Sequence, residues 1–444
     1  MKKVDLTEGN VLKVIVNLAL PLAASSLLQF MYNFIDMMWV GGLGSDAVAS
    51  IGSSSFYINV GYAINAMVVV GAGVVVSQAI GAKDYDRANK YINTAIVLNL
   101  VIGLIYSLCI SIFSRDLIGF LGINNPEVER DALSYLLING WGMVIIFFNS
   151  LCTRFFSSFG NNKISLIINS VGLIINIILD PIFIYGLDLG VNGAALATVL
   201  SNGVALIMAI IYSRGLYPLK PIKLFQFSMI KDIAKIGSPN AMQRIIFTMI
   251  NIFLAKIIAV YGAEAIAAHK IGLQVESITF VIIGGFNGAI ASYVGQNYGG
   301  KKCERISEGY SVSLKLGMGY ASVVMALLLI IPEQLAGIFV SDPGTIKITA
   351  DYLRIIGLSQ VFAAVEMVTG GAFMGLSRTK YSAVISVGLT VIRLPIAMVL
   401  VKFIGVNGIW WSIAISSILK GVVSYVVYKY VLWKKVCKEL KCAC

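Results

Sequence analysis

Long apolar segments recur along the whole chain, separated by short stretches of Gly, Pro, Asn and charged residues. A membrane-spanning helix needs about 20 apolar residues, and each of these segments is at least that long. The pattern therefore predicts twelve spans, several of them long enough to tilt in a bilayer. The predicted spans are residues 12–40, 46–79, 91–114, 131–158, 163–186, 190–213, 230–260, 263–297, 306–331, 346–375, 381–403 and 406–432.

The composition indicates that the surface of the folded chain is in contact with lipid. Hydrophobic residues make up 58% of the 444 residues and charged residues only 13%. Soluble globular proteins carry about 25% charged residues, so this chain could not cover its own surface with polar groups. Because a bilayer accepts helices whose backbone groups are all paired, we expect an all-α polytopic membrane protein.

The positive charges are distributed by loop rather than by surface patch. The net charge is +12, but Lys and Arg gather in every second connection, for example at Lys83, Arg87 and Lys90. The alternate connections, such as 41–46 and 186–192, contain neither residue. This is the positive-inside pattern, which predicts an inner-membrane protein with both termini in the cytoplasm. The charge is explained by the lipid surface, so no nucleic-acid partner is expected.

The two halves of the chain repeat one another. Pro21 corresponds to Pro239, an offset of 239 − 21 = 218. The motif GVNG occurs at 190–193 and again at 405–408, an offset of 405 − 190 = 215. The 218-residue offset also aligns Asn33 with Asn251, Gly44 with Gly262, Gln78 with Gln296, Lys83 with Lys301 and Arg87 with Arg305. Such a register indicates a duplicated six-helix unit.

Six helices per copy make the repeats parallel, because both copies then enter the membrane from the same side. Two such lobes can enclose a cleft that opens alternately to either side, as in secondary transporters. The predicted organisation is an N-lobe at 1–215, a cytoplasmic linker at 216–229, a C-lobe at 230–432 and a basic cytoplasmic tail at 433–444.

Two acidic residues lie deep in the predicted spans of the first half, with no base in reach. Asp36 is in the first span and Asp180 in the fifth. A charged side chain at a helix centre costs roughly 2.5–3.5 kcal/mol on insertion scales, so such residues are functional candidates. Without a positive partner, each must take up a proton, bind a cation or face water. All three suit a site for a coupling ion.

The surroundings of Asp180 strengthen this interpretation. Asn176 lies four residues earlier and therefore on the same helix face, and Pro181 leaves the carbonyl of Ile177 without its helical donor. Thr198, in the next span, can add a hydroxyl. These oxygens can coordinate a cation or hold a proton. The structural alternative is that Asn176 and Asp180 only hydrogen-bond neighbouring helices.

Several motifs resemble one known family. The fifth and sixth spans carry NIILDPIFIYG at 176–186 and GVNGAALAT at 190–198, and GAKDYDRA occupies 81–88. With Pro21, Asp36 and the following VGGLG, these stretches are similar to the multidrug and toxic compound extrusion (MATE) family. They resemble its DinF-like branch more than the sodium-coupled NorM type.

The resemblance implies the MATE fold and export of amphipathic organic cations by cation-coupled antiport. It places the family's proton or sodium site in the N-lobe, and Pro21 and Pro181 at points of helix bending. The residues on that ion site are Asp36, Asn176, Asp180 and Thr198. Protons are the favoured coupling ion, and Na⁺ at the same four residues is the alternative.

Tyr32, Asn33 and Met37 surround Asp36 in the sequence and are candidates for lining the substrate cavity. Aromatic and methionine side chains suit promiscuous binding of organic cations, although packing against lipid explains many such residues.

The second half departs from the sodium-coupled members of the family. Those members carry acids in the seventh and tenth spans, where this chain has Phe247 and Ala363, so no C-lobe sodium site is expected. The C-lobe instead holds charges of both signs. We expect Glu276 and Glu366 to be structural and paired with bases, with transport coupling as the alternative. The bases of this half include Lys256, Lys270, Arg393 and Lys420, and the first three are named as examples of candidate partners.

Other classes of function lack their motifs. The chain contains no P-loop, HExxH or GxSxG, so neither an enzyme nor direct ATP coupling is expected. No cofactor is expected beyond H⁺ or Na⁺, and a functional monomer is expected. The six cysteines lack paired metal-ligand spacing, and we expect reduced thiols in a cytoplasmic setting. A related lipid-linked oligosaccharide flippase is a further alternative, but the acidic N-lobe interior favours cationic cargo.

Overall fold

The computed structural model describes residues 5–123, 125–217 and 221–442. Over these residues the chain is helical and contains no strand. The α-helices are α1 Val11–Gly41, α2 Ser45–Gly81, α3 Tyr85–Phe120, α4 Pro126–Ser158, α5 Asn162–Pro181, α6 Gly190–Ser213, α7 Pro221–Leu224, α8 Phe227–Ala259, α9 Ala263–Gly299, α10 Cys303–Ile330, α11 Pro332–Gly337, α12 Pro343–Gly357, α13 Gln360–Gly375, α14 Thr379–Val391, α15 Arg393–Ile404, α16 Asn407–Val426 and α17 Trp433–Leu440. Two π-helical turns, Ile182–Gly186 and Val427–Leu432, continue α5 and α16.

The predicted membrane spans are confirmed. Eleven helical segments in the described part are long and apolar enough to cross a bilayer. A twelfth span is formed if α12 and α13 are counted together, although they meet at an angle of 53°. The tenth predicted span is therefore a broken one. The described chain is the all-α polytopic protein that the composition predicts.

The chain forms two compact units. One contains Met1–Asp5 and Ala24–Ala241, and the other contains Leu6–Ala23 and Met242–Cys444. The start of α1 thus belongs to the second unit, and the start of α8 belongs to the first. The bounds predicted for the lobes, the linker and the tail stay a prediction.

Within each unit, repeated residues adopt the same unusual backbone conformation. These positions have positive φ, which is uncommon for residues with a side chain. The pairs are Gly44 and Gly262 (φ 108° and 91°), Lys83 and Lys301 (60° and 54°), and Gly190 and Gly405 (52° and 59°). The repeat therefore extends from sequence to local structure.

The last glycine of each GVNG motif allows two backbones to meet. A Cβ placed on Gly193 would lie 2.6 Å from the carbonyl carbon and oxygen of Phe183, in the π-helical turn before α6. A Cβ on Gly408 would lie 2.5 Å from the carbonyl carbon of Leu400. In both units, glycine thus lets the helix start pack directly against the preceding element.

Gly193→Ala is expected to destabilise the first unit by about 1–3 kcal/mol, because the added methyl group must displace backbone. The measurement is the apparent melting temperature of the purified protein in detergent. Gly203→Ala is the matched control on the same helix, since a Cβ there has no neighbour within 4 Å. Equal melting temperatures for the two variants would contradict the close packing at Gly193.

The predicted basic tail is mostly helical and packed. Leu432 and Val436 are fully buried in a hydrophobic cluster with Leu6 and Ile306. The thiols at this end also differ from expectation. Cys303 and Cys442 form a disulfide, Cys437 is disulfide-bonded as well, and Cys109 and Cys152 are free. The prediction of reduced thiols is wrong for the bonded cysteines, because folding brings residues 139 positions apart together.

Candidate functional site

The candidate site lies in the first unit, where α5 presents a continuous polar stripe. Residues three or four positions apart share one face of a helix. The polar residues are Asn162, Ser165, Asn169, Asn176 and Asp180, and Gly172 lies on the same face between them. Asn176 and Asp180 at its far end are fully buried. Asn176 and Asp180 are therefore shielded from solvent, and their hydrogen-bond partners must come from within the protein.

Asn176 and Asp180 satisfy one another only in part. The amide nitrogen of Asn176 donates to Oδ1 of Asp180 over 3.0 Å. Asn176 Oδ1 and Asp180 Oδ2 are buried and have no hydrogen-bond partner among the described residues. Pro181 ends α5, and the chain continues as the π-helical turn Ile182–Gly186. The two acceptor oxygens without donors therefore lie next to the point where the α-helix changes to a π-helix.

Helix α1 adds a second carboxylate. Gln29, Tyr32 and Asp36 lie on one face of it, at spacings of three and four residues. Asp36 Oδ1 is buried and accepts no hydrogen bond from the described residues. Asp36 lies near enough to Asp180 for the two charges to repel. No Lys or Arg in the described chain forms an ion pair with either acid.

Helix α6 closes the site with hydroxyl groups. Tyr32 lies beside Thr198 and Ser201, although its own hydroxyl makes no hydrogen bond of standard geometry with a described residue. Ser201 Oγ and the Asn202 amide both donate to the carbonyl of Thr198, over 3.0 and 2.9 Å. The four residues predicted to form the ion site therefore come from α1, α5 and α6 of one unit.

A small polar cavity adjoins these groups. Its volume is about 40 Å³, enough for a few water molecules. The polar side chains that line it are Gln29, Tyr32, Asn149, Asn169, Ser201 and Asn202. Most of these were not predicted from the sequence. The polar stripe on α5 and the spacing of Gln29, Tyr32 and Asp36 on α1 are signals that could have indicated them.

The three residues predicted to line a substrate cavity have different positions. Tyr32 lines the small cavity. Met37 does not contact it, and the side chain is 46% exposed. The side chain of Asn33 lies outside the described part of the structure. A role for Met37 and Asn33 in substrate binding therefore stays a prediction.

The hydrogen-bond acceptor oxygens that lack a donor determine which ligands the site can bind. Asp36, Asn176 and Asp180 each offer a buried oxygen that no described residue satisfies. Two nearby carboxylates cannot both be ionised without a large cost, unless a cation or proton neutralises them. Carboxylate, amide and hydroxyl oxygens also suit a hard cation such as Na⁺. The arrangement fits a proton or a small monovalent cation.

A duplicated six-helix membrane fold with a buried acidic site in one unit defines a secondary transporter. The family model described as MatE matches residues 21–182 and 239–399. The chain therefore belongs to the MATE family, as its motifs predict. Assignment to the DinF-like branch rather than the NorM type stays a prediction.

The similar proteins span more than nine-tenths of the chain. The "Probable multidrug resistance protein NorM" of Thermotoga maritima is 28% identical over 433 residues, which are 95% of this chain and 93% of the relative. The "Multidrug export protein MepA" of Staphylococcus haemolyticus is 26% identical, covering 92% of this chain and 91% of the relative. A solved outward-facing multidrug resistance MATE transporter superposes with a TM-score of 0.91 at 25% identity, covering 100% of this chain and 99% of that one.

The buried acids of the second unit have other partners than predicted. Glu366 pairs with Lys420 at 3.0 Å and accepts from Ser386 at 2.9 Å. Glu276 is bound by Tyr352 at 2.6 Å and Gln360 at 3.2 Å. The predicted pairing with a base is therefore confirmed for Glu366, although the base is Lys420 rather than Lys256, Lys270 or Arg393, and it is wrong for Glu276, which forms no ion pair in the described chain. Lys256, Lys270 and Arg393 form no ion pair with either acid in the described chain, although the charge of Arg393 attracts both acids. The packing of α13 against α16 brings Lys420 to Glu366.

Proposed function

We propose that this protein exports amphipathic organic cations by antiport against a coupling cation, with protons favoured. The observation that carries the proposal is the pair of acids Asp36 and Asp180, whose charges repel each other and which form no ion pair with Lys or Arg in the described chain. An acidic interior attracts cationic cargo. The names of the relatives, a multidrug resistance protein and a multidrug export protein, support the same class of substrate.

Competition between the proton and the cationic cargo for one negatively charged site is sufficient to exchange one for the other. A proton taken up from outside neutralises Asp36 and Asp180 and removes their attraction for the cargo, so the cargo leaves. Cargo that binds from the cytoplasm favours loss of the proton inward. Alternating exposure of the site to the two sides then converts competition into antiport. Pro21, within α1, and Pro181, at the end of α5, are the proposed points of bending.

The protein is proposed to function as a monomer in the inner membrane. In the proposed orientation both termini lie in the cytoplasm. The alternation of basic and uncharged loops along the sequence supports it.

Sodium is the second candidate coupling ion. The buried oxygens of Asn176, Asp180 and Asp36 that lack donors in the described chain favour it, because they are ligands that Na⁺ accepts. Thr198 can contribute its hydroxyl. The exchange scheme is the same for either ion.

Transport in proteoliposomes separates the two ions. The purified protein is reconstituted, and uptake of a fluorescent organic cation is followed under a pH gradient alone and then under a sodium gradient alone. We expect uptake driven by the pH gradient and abolished by a protonophore. Uptake that follows sodium and ignores pH would replace the proton with Na⁺. Uptake under neither gradient, by protein that retains its fold, would contradict the proposed antiport.

A further inference from the structure

Two cysteines that are distant in sequence meet at one end of the second unit. Cys303 is the first residue of α10, and Cys442 follows α17. They form a disulfide with their Cα atoms 6.5 Å apart. In the proposed orientation this end faces the cytoplasm, where thiols are normally reduced. A disulfide there is expected to form and break in response to conditions.

Contacts other than the disulfide hold the tail in place. Glu439 of α17 forms an ion pair with Arg378 and accepts a hydrogen bond from Tyr298 over 3.2 Å. The backbone N–H of Cys442 donates to the carbonyl of Cys437 over 2.9 Å. Val436 is buried in the core of the unit. The two sulfurs would therefore stay close together in the reduced protein, which makes closure of the bond fast.

Cys442 is the more accessible of the two cysteines, because Cys303 is only 6% exposed. The thiolate is the reactive form of cysteine, and it is stabilised at a helix N-terminus and beside positive charge. Cys303 begins a helix of 28 residues. Lys301 and Lys302 precede it directly, and Lys441 precedes Cys442. Both partners in the bond thus lie in a basic segment.

The turn that carries Cys303 also holds the start of α1. The guanidinium of Arg305 donates to the carbonyls of Gly9, Glu8 and Leu6 over 2.8, 3.1 and 3.3 Å. The side chain of Asn297 donates to Leu6 as well, over 3.1 Å. Closing the Cys303–Cys442 bond therefore fastens the tail to the same turn that holds the segment before α1.

We propose that Cys303 and Cys442 are a site of reversible modification by low-molecular-weight disulfides, which fastens the tail to the α9–α10 turn. The Cys442 thiolate attacks one sulfur of the small disulfide, forming a mixed disulfide and releasing one small thiolate. The Cys303 thiolate then attacks the Cys442 sulfur and expels the second small thiolate. The protein loses two electrons and two protons, and the small disulfide becomes two thiols. The proposal rests on the proposed orientation, not on the transported substrate.

Thiol mapping on the full-length protein in membranes tests this site. Samples are equilibrated in mixtures of glutathione and glutathione disulfide, free thiols are alkylated, and tryptic peptides are analysed by mass spectrometry. We expect the Cys303 and Cys442 peptides to become linked, with about tenfold more linked product in the oxidising mixture than in the reducing one. Cys303→Ser and Cys442→Ser should each abolish that product. Cys109→Ser, which removes a free thiol elsewhere, should retain it.

Three results would overturn the proposal. Cys303 and Cys442 could remain free thiols in excess glutathione disulfide. The bond could persist unchanged in the reducing mixture, which would make it a permanent structural disulfide. Protection of both thiols from alkylation could instead require zinc and disappear with a chelator, which would make Cys303 and Cys442 part of a metal site. An impermeant alkylating reagent, applied to right-side-out and inverted vesicles, tests the orientation separately, so its failure is distinguishable from failure of the site.

Discussion

Asp180→Asn is expected to abolish coupled export while the protein still folds and reaches the membrane. Asparagine keeps the shape of the side chain and an oxygen that can accept from Asn176, so the 3.0 Å hydrogen bond survives. It removes the charge and the proton-binding group. Loss of one charged ligand costs about 1.5–3 kcal/mol, which corresponds to roughly 10–100-fold weaker ion binding. Asp36→Asn is expected to have the same effect.

Efflux of a fluorescent organic cation from cells measures this result, with the amount of protein determined in the same membranes. Asp188→Asn is the matched control, because Asp188 is exposed and its positive φ of 52° is well tolerated by asparagine. Asn176→Ala and Thr198→Ala should weaken export less than either acid variant. Export at the wild-type rate by both Asp36→Asn and Asp180→Asn would exclude this site as the coupling site.

Lys420→Met is expected to lower the free energy of unfolding of the second unit by about 3–5 kcal/mol. The Lys420 side chain is 7% exposed and that of Glu366 17% exposed, so the 3.0 Å ion pair is largely buried. Without the lysine, the Glu366 carboxylate keeps the hydrogen bond from Ser386 but loses its cation. A buried charge left alone in this way is more costly than having no charge at all.

Thermal unfolding in nanodiscs, compared across a mutant cycle, measures the effect. The double variant Glu366→Gln/Lys420→Met should recover most of the lost stability, because no unpaired charge remains. Lys402→Met is the control for removing an exposed lysine from the same unit. If Lys420→Met melts like the wild type but no longer couples transport, the pair belongs to the transport machinery instead.

Features that depend on one helix were predictable from the sequence. The apolar runs located the spans, and the spacing of Asn176 and Asp180 placed both on one face of α5, where they do bond. The association of Asp36 with that pair came from the family resemblance, since no periodicity relates the first span to the fifth. The bend between α12 and α13 was not predicted, because the two helices together are long and apolar enough to be one span.

Features that depend on how helices face one another were not predictable. Glu366 could have paired with any of several bases, and the choice of Lys420 follows from the packing of α13 on α16. Asn149 has no acid within a helical turn of it in the sequence, yet it lines the small cavity together with Asn202, to which it donates over 3.3 Å. Single polar residues in apolar helices become informative only when their neighbours are known.

The division of α1 and α8 between the two units has an evolutionary consequence. The first unit ends at Ala241, and the exchanged segment of α1 ends at Ala23. The difference, 241 − 23 = 218, equals the offset between Pro21 and Pro239, so both halves are divided at equivalent positions. Two separate six-helix chains that exchanged these segments would form a domain-swapped homodimer, each contributing the first part of its first helix to the other. Fusion of two such chains would make that assembly independent of protein concentration, since each half would carry its partner.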